Sequence, residues 1–379
     1  MTKPVPRPGL MDITPYKPGK STVHQGPVFK LSSNESALGA SPKAIEAYQD
    51  ASNSLERYPD GNATALRTVI AGVHDLPVDN LVIGAGSDEI IQLLVRGYAG
   101  EGDNIVQSRH GFSYYHLAAA SAGAGTRYAD EKDLTADIDA LVEAVDEKTK
   151  LVFLANPNNP TGTVLMRDEL QRLRRALPSH VILVLDGAYA EYMADDRYTD
   201  GADMVREAIE AGADNVVMMR TFSKVYGLGG ARVGWAYGPD SIIGLLNRIR
   251  GPFNVSAPAL KAAAAAMADQ DFVVENRIHN AAERQRVTGA LEHLGFVVTP
   301  SYGNFVLFTV KGMAEDQAET ASKILAFLED RGVLIRAAAS SQLPTHLRAS
   351  IGSEAANDKF LEGMTAYAKE VGVPEVSSG

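Results

Sequence analysis

The sequence has no cysteine among its 379 residues. Disulfides and thiolate metal sites are therefore excluded, and the absence fits a reducing compartment. No stretch approaches the roughly 18 uninterrupted apolar residues of a membrane-spanning helix. The N-terminal residues include Pro4, Pro6 and Pro8 without an apolar segment, so we expect no secretory signal there.

Basic residues are also in short supply, with 36 Lys and Arg against 47 Asp and Glu, a net charge of −11. This balance argues against a nucleic-acid or anionic-membrane partner, which would favour a basic surface. It leaves room for a local basic pocket. Hydrophobic residues make up 45% of the chain, enough for a large core, and the length allows two domains.

Short apolar runs without period-two alternation predict strands that are covered on both faces. Helical patterns separate these runs, for example at 88–98 and 167–177, which favours an α/β fold with a mainly parallel sheet flanked by helices. The runs are Leu81–Ile83, Asn104–Val106, Leu151–Leu154, Val181–Leu185 and Val216–Met219.

The pattern changes after about residue 258 and predicts a smaller α+β domain. Two long helical patterns, 258–293 and 314–331, surround short apolar runs at 296–298, 305–308 and 333–335. Upstream, residues 42–54 predict a helix with Pro42 in its first turn. Residues 1–30 predict an extended arm. We therefore divide the chain into an N-terminal arm and small-domain segment (1–50), a large domain (51–258) and a small C-terminal domain (259–379).

The segment Arg220–Arg232 is the most informative part of the chain. It follows the apolar run 216–219 and contains Thr221, Ser223, Lys224 and a Gly-rich turn. Hydroxyls and an arginine suit a phosphate group, and a lysine amine can form a Schiff base with an aldehyde. Pyridoxal 5′-phosphate (PLP) carries both groups. The alternative is an ordinary solvated surface lysine.

Further motifs in the same order make the chain resemble the fold-type I PLP-dependent aminotransferases, most closely the histidinol-phosphate aminotransferase group. The resemblance covers nearly the whole chain, and several ordered motifs are far more specific than one. It rests on LSSNE at 31–35, RYPDG at 57–61, GAGSDE at 84–89, NPNNPTG at 156–162, VLDGAY at 184–189 and LRASIG at 347–352.

The resemblance assigns the reaction chemistry to Lys224, Asp186 and Tyr189. Lys224 would form the Schiff base and, once displaced, move the proton between the substrate Cα and C4′ of the cofactor. Asp186 would keep the pyridine nitrogen protonated, although an aspartate after a strand is also a common helix cap. Tyr189 and Asn159 would donate to the cofactor's phenolic oxygen. Asn159 also precedes Pro160, a common turn pair.

The resemblance also implies a phosphate cup at the N-terminus of a helix, where backbone N–H groups and the helix dipole favour an anion. Ser87 could instead be only a helix cap. The cup residues are Gly86, Ser87, Asp88, Thr221, Ser223 and Arg232. Phe112 would stack on the pyridine ring, although a plain core phenylalanine is the competing interpretation. Tyr58 matches a position that reaches the phosphate of the neighbouring subunit, which implies a homodimer with shared active sites.

On the substrate side, Arg348 matches the arginine that binds the α-carboxylate, a task suited to its bidentate fork. Arg336 matches the position that binds the distal phosphate of histidinol phosphate, and Asn34 borders the same pocket. Three departures from the family pattern, Ala337, Gly187 and Ser36–Leu38, concern the substrate more than the cofactor.

The sequence therefore predicts a cytoplasmic PLP-dependent aminotransferase without nucleic-acid or membrane partners. It would use histidinol phosphate and 2-oxoglutarate in a ping-pong reaction through pyridoxamine phosphate, giving imidazole-acetol phosphate and glutamate. The alternatives are an aromatic amino-acid aminotransferase on the same scaffold, a PLP-dependent decarboxylase of a phosphorylated amino acid, and a catalytically silent binding module. The amino donor is left open between histidinol phosphate and aromatic amino acids.

Overall fold

A computed structural model describes residues 3–14, 27–310 and 314–373. Within these ranges the helices are α1 Pro42–Ala51, α2 Thr64–His74, α3 Ser87–Tyr98, α4 Tyr114–Ala122, α5 Ile138–Glu143, α6 Arg167–Ala176, α7 Ala202–Glu210, α8 Asp240–Ile249, α9 Ala257–Ala268, α10 Gln270–His293, α11 Ala314–Glu329 and α12 Glu354–Glu370. The strands are β1 Phe29–Lys30, β2 Leu81–Gly84, β3 Asn104–Ser108, β4 Gly125–Ala129, β5 Glu131–Lys132, β6 Thr135–Ala136, β7 Thr149–Ala155, β8 Ile182–Asp186, β9 Val216–Thr221, β10 Gly234–Tyr237, β11 Val297–Thr299, β12 Phe305–Thr309, β13 Val333–Leu334, β14 Arg336–Ala337 and β15 Leu347–Ser350.

The large sheet has the strand order β2-β10-β9-β8-β7-β3-β4. Only β10 among these strands runs against the others, because it pairs antiparallel with both β2 and β9. The predicted α/β fold with a mainly parallel central sheet is confirmed. The predicted strands all form, whereas β4 and the reversed strand β10 were not predicted.

Apart from the edge strand β4, the strands of this sheet are buried on both faces, as the absence of alternation predicted. In β8 the side chains of Leu183 and Leu185 belong to one apolar cluster. Those of Ile182 and Val184 belong to the cluster on the opposite face. Successive strand residues point to opposite faces, so a strand covered by helices on both sides needs an apolar residue at every position.

The smaller α+β unit contains an antiparallel sheet in the order β11-β12-β15-β14. Its core includes Val306, Phe308, Leu328 and Phe360, from β12, α11 and α12. Strand β1 pairs in parallel with β13, which attaches the N-terminal segment to this unit. Two strands far apart in sequence therefore meet beside the small-domain sheet.

The helical pattern predicted over 258–293 is two helices, and this is a correction. The helical conformation is interrupted at Asp269, which lies between α9 and α10. The buried Asp269 carboxylate accepts hydrogen bonds from Ser41 Oγ (2.5 Å) and Lys43 Nζ (2.6 Å) at the start of α1. A tertiary contact thus interrupts a helical pattern that contains neither glycine nor proline at the break.

Helix α9 packs against α1 and α2, and its Ala262, Ala263 and Ala266 belong to the large core. Val287 and Leu291 of α10 belong to the small-domain core. The predicted division at residues 50 and 258 stays a prediction, and this packing favours a later boundary inside α10. Much of the predicted N-terminal arm lies outside the described residues, as do residues 374–379.

Candidate active site

A cavity of about 300 Å³ lies at the carboxyl-terminal edge of the parallel strands, where the small domain faces the large sheet. Open parallel sheets generally bind their ligands at this edge. Every predicted site residue lines the cavity except Gly86 and Tyr58. The lining residues from the prediction are Asn34, Ser87, Asp88, Phe112, Asn159, Asp186, Tyr189, Thr221, Ser223, Lys224, Arg232, Arg336 and Arg348.

Asp186 is the last residue of β8 and only 4% exposed. Its Oδ2 accepts a hydrogen bond from the Tyr115 hydroxyl (2.6 Å), and its Oδ1 accepts one from the Ala188 N–H (3.0 Å). Burial raises the pKa of Asp186 to about 6, against the opposing effect of these two hydrogen bonds. A carboxylate desolvated in this way ionises most readily beside a positive partner. Sequence analysis gave Tyr115 no role.

Lys224 lies in the turn after β9, with its Nζ 3.4 Å from the Ser33 carbonyl oxygen and 5.7 Å from the centre of the Tyr189 ring. Gly227 fixes this turn, because it has a φ of +69° and a Cβ there would overlap the Gly39 carbonyl. Only glycine tolerates both the positive φ and the close approach. The amine is thereby held against the N-terminal segment that carries Asn34.

An anion cradle forms where the turn after β9 approaches the N-terminus of α3. Arg232 Nη1 donates to Ser223 Oγ (3.3 Å), and the Thr221 hydroxyl donates to the same oxygen (3.0 Å). Arg232 Nη2 contacts Asp88 Oδ2 at 2.7 Å. Hydroxyls, a guanidinium and the first N–H groups of a helix together suit a phosphate group.

Gly86 precedes α3 and supports the cradle indirectly. It has a φ of +80°, and a Cβ at this position would lie 2.5 Å from Arg232 Nη2. Gly86 therefore leaves space for the guanidinium, although it does not itself line the cavity. The role of Gly86 in binding a phosphate stays a prediction.

Arg348 connects the small domain to the large one. This arginine of β15 is buried, and its Nη1 donates to Asn159 Oδ1 (2.6 Å) while its Nη2 donates to the Ser32 carbonyl (2.9 Å). The Asn34 amide nitrogen donates to the Tyr189 hydroxyl at 2.9 Å. Because Asn159 accepts through its oxygen, its NH₂ group stays available as a donor, as the predicted role requires.

Arg336 of β14 lies directly opposite Arg348 in the antiparallel pairing of β14 with β15. Two arginines on adjacent strands therefore face one cavity. Lys30, Ser340 and Ser341 also line it, and sequence analysis did not find them. Their chain positions carry no motif, and only the folded structure places them there.

Tyr58 lies outside the cavity of its own chain. It is 83% exposed and stacks on Phe253, with ring centres 4.7 Å apart. Phe112 lines the cavity and meets Tyr115 edge to face, at 5.6 Å between ring centres. The stacking role of Phe112 and the cross-subunit role of Tyr58 stay predictions.

A buried ionic cluster lies beneath the site. Arg220, just before Thr221, has its Nη2 3.1 Å from Asp200 Oδ2 and its Nε 3.6 Å from Glu191 Oε1. Burial raises the pKa of Glu191, with Arg220 opposing the shift. Burial likewise lowers the pKa of nearby His74 to about 4. An arginine within an otherwise apolar strand was the one sequence feature that could have indicated this cluster.

Two features are missing from the described part of the chain. No helix there is both long and apolar enough to cross a membrane. Within the same ranges, no three acidic, histidine or cysteine side chains come together in a way that could hold a metal ion.

Comparison with known proteins identifies the family. The model of the family "Aminotransferase class I and II" matches residues 26–364. A histidinol-phosphate aminotransferase of Rhodopseudomonas palustris strain BisB5 is 47% identical over 372 residues, covering 97% of this chain and 99% of that protein. One of Nitrobacter winogradskyi is 46% identical over 369 residues, again covering 97% and 99%.

The fold also matches solved structures. The histidinol-phosphate aminotransferase of Sinorhizobium meliloti, solved in complex with pyridoxal-5′-phosphate, superposes with a TM-score of 0.83 at 29% identity. The match covers 90% of this chain and 91% of that one. From the family match, the near full-length relatives and the shared fold, the chain belongs to the class I and II aminotransferases.

Proposed function

We propose that the protein is a PLP-dependent aminotransferase that transfers an amino group from histidinol phosphate to 2-oxoglutarate. The observation that carries this proposal is the arrangement of the cavity. Lys224 lies among the cradle of Thr221, Ser223 and Arg232, the buried carboxylate of Asp186, and the arginines of the small domain. The relatives at 46–47% identity are named histidinol-phosphate aminotransferases.

The residues fit PLP. The cradle at the α3 N-terminus matches a phosphate, Lys224 offers an amine to an aldehyde, and Asp186 offers a buried negative charge to a pyridinium. When bound, PLP supplies an electron sink for the substrate Cα. Asp186 would hold the ring nitrogen in its charged form, since a desolvated carboxylate favours a cationic partner. The Lys224 amine would carry the proton to and from the substrate carbon.

Each of the two arginines would bind a different anionic group of the substrates. Arg348, connected to Asn159, would bind the α-carboxylate of glutamate. Arg336, opposite it on β14, would bind the phosphate of histidinol phosphate, which has no α-carboxylate. Neighbouring guanidiniums allow one cavity to accept either substrate in turn, as a ping-pong reaction requires.

Replacing Arg336 by alanine should weaken the half-reaction with histidinol phosphate about ten- to a hundredfold, because a charge-assisted hydrogen bond is lost. The half-reaction with phenylalanine should change much less. Both are measured by single-turnover changes in the cofactor spectrum. Arg172→Ala, which removes an exposed arginine of α6 that pairs with Asp139, is the matched control.

Equal losses for both substrates would show that Arg336 supports the pocket in general. A wild-type enzyme that prefers phenylalanine or tyrosine to histidinol phosphate would contradict the proposed substrate. In that case the aromatic aminotransferase is the better assignment, and Ala337 and Gly187 are the first positions to examine.

We further propose that the active unit is a cytoplasmic homodimer in which Tyr58 completes the partner's site. Tyr58 lies outside its own cavity and stacks on the exposed Phe253, and Leu55, three residues before Tyr58 in the chain, is also an exposed apolar residue. An exposed group of large apolar side chains is typical of a protein interface.

Mixing a Tyr58→Phe chain with a Lys224→Ala chain should restore part of the activity. Each heterodimer then has one site with both lesions and one intact site, so random exchange returns roughly a quarter of the sites. Activity is measured after subunit exchange, which tagged chains monitor independently. No recovery despite demonstrated exchange would place Tyr58 in the site of its own chain.

A further inference from the structure

Lys30 lines the same cavity as Arg336 and Arg348, and it has been given no role so far. It is the last residue of β1 and pairs with Leu334 of β13, two residues before Arg336. Its neighbours Phe29 and Leu31 both pack into the small-domain core. Because strand residues alternate in direction, the Lys30 side chain points away from that core and towards the cavity.

The partner of Lys30 is Glu35, with Lys30 Nζ 2.7 Å from Glu35 Oε1. The two side chains are 29% and 54% exposed. Glu35 is not among the described residues that line the cavity. Ion pairs as exposed as this one contribute little to stability, so exchanging the carboxylate for another anion costs little.

The charge of the substrate requires more than one cation. A phosphate monoester carries a charge of about −1.5 to −2 at neutral pH, whereas a carboxylate carries −1. A bidentate arginine matches one edge of the phosphate, and a lysine supplies a compact second charge with three rotatable donors. Arg336 alone would leave part of the phosphate charge uncompensated.

We propose that Lys30 is a specificity-determining residue that binds the phosphate monoester of the amino donor together with Arg336, and that Glu35 is its displaceable counter-ion. This role rests on the proposed function, since it needs a phosphorylated substrate. In the substrate-free protein Glu35 holds the lysine at the cavity wall. On binding, the phosphate takes the place of the carboxylate, and the enzyme thereby distinguishes a phosphorylated donor from its unphosphorylated analogue.

The test compares Lys30→Met and Lys30→Arg with wild type in single-turnover half-reactions of PLP-saturated enzyme. The substrates are histidinol phosphate, histidinol and glutamate. Lys30→Met should weaken histidinol phosphate binding about tenfold and histidinol or glutamate binding less than about twofold, whereas Lys30→Arg should stay close to wild type. Inorganic phosphate, used as a competitor of histidinol, should also inhibit the Lys30→Met enzyme about tenfold less well.

Two controls separate binding from a structural effect. Lys359→Met removes a lysine from a comparable exposed pair with Glu362, neither of which lines the cavity, and should change nothing. Glu35→Gln removes the counter-ion but keeps Lys30, so histidinol phosphate should bind at least as well as in wild type. A loss in Glu35→Gln equal to that in Lys30→Met would show that the ion pair acts as a structural unit, and would overturn the proposal.

The remaining outcomes separate failure of the proposed substrate from failure of the role of Lys30. A wild type that uses other amino donors but not histidinol phosphate refutes the proposed substrate and this role with it. A wild type that prefers histidinol phosphate, with a Lys30→Met variant that binds it equally well, refutes the role of Lys30 alone.

Discussion

Replacing Lys224 by alanine should reduce transamination by about 10⁴-fold, the largest effect expected of any single change. The variant loses the amine that bonds to the cofactor and the group that moves the substrate proton, and acid–base catalysis by a positioned side chain alone contributes roughly 10²- to 10⁴-fold. Because the cradle of Thr221, Ser223 and Arg232 is untouched, the variant should still bind free PLP.

The measurement combines turnover with reduction by borohydride. Wild type incubated with PLP should yield a reduced adduct on the peptide that contains Lys224, and Lys224→Ala should yield none. Lys261→Ala, which removes an exposed lysine of α9, is the control and should behave as wild type. A wild type that forms no reducible adduct with added PLP would refute the proposal that Lys224 binds PLP covalently.

Replacing Asp186 by asparagine should lower turnover by at least about 10²-fold while leaving the cofactor bound, because a neutral amide does not favour a protonated pyridine nitrogen. Removing one preorganised electrostatic group from an active site typically costs about 10²- to 10³-fold in rate. Turnover and PLP affinity are measured separately. Near-normal turnover in a folded variant would exclude Asp186 from this role.

Tyr115→Phe should have a smaller effect than Asp186→Asn, because it keeps the carboxylate and removes only the 2.6 Å hydrogen bond to it. This hydrogen bond lowers the pKa of Asp186, so the variant should raise that pKa further above 6 in the cofactor-free protein. We expect its activity to lie between those of wild type and Asp186→Asn.

The raised pKa of Asp186 also determines whether its contribution to the stability of the cofactor-free protein rises or falls with pH. Between the ordinary value of 3.8 and about 6, the folded state binds more protons at Asp186 than the unfolded state. This residue's contribution to stability is therefore greatest at low pH and is lost as the pH rises through about 6, by at most about 3 kcal/mol. The difference between the unfolding free energies of wild type and Asp186→Asn should follow that trend.

Strands β2, β3, β7, β8 and β9 of the large sheet were predictable because burial on both faces leaves an unbroken apolar run in the sequence. Strand β10 was not, because Gly234–Tyr237 is only four residues long and follows a Gly-rich turn without a helix between. Its reversed direction depends on pairing with β2, some 150 residues earlier in the chain, a contact that no local pattern encodes. The break at Asp269 was missed for a similar reason, since it serves a contact with α1.

In the candidate site, too, some residues could be predicted from the sequence and others could not. Residues next to strand ends, such as Asp186 and Lys224, are carried by contiguous motifs, and parallel strands place these motifs at one edge. Tyr115 stands 71 positions from Asp186 and was given no role, because the hydrogen bond between them depends on how α4 packs on the sheet. Lys30 was missed because the cavity wall it forms exists only once β1 pairs with β13.

The buried cluster of Arg220, Glu191 and Asp200 constrains how this sequence can diverge. Removing one member of a buried ionic group leaves an uncompensated charge and costs about 3–5 kcal/mol, a large part of the 5–15 kcal/mol that keeps a typical protein folded. Replacing the whole group with apolar residues of similar volume is often nearly neutral. Among descendants of this protein, the three positions should therefore either persist together or change together, and single replacements should survive only where another stabilising change came first.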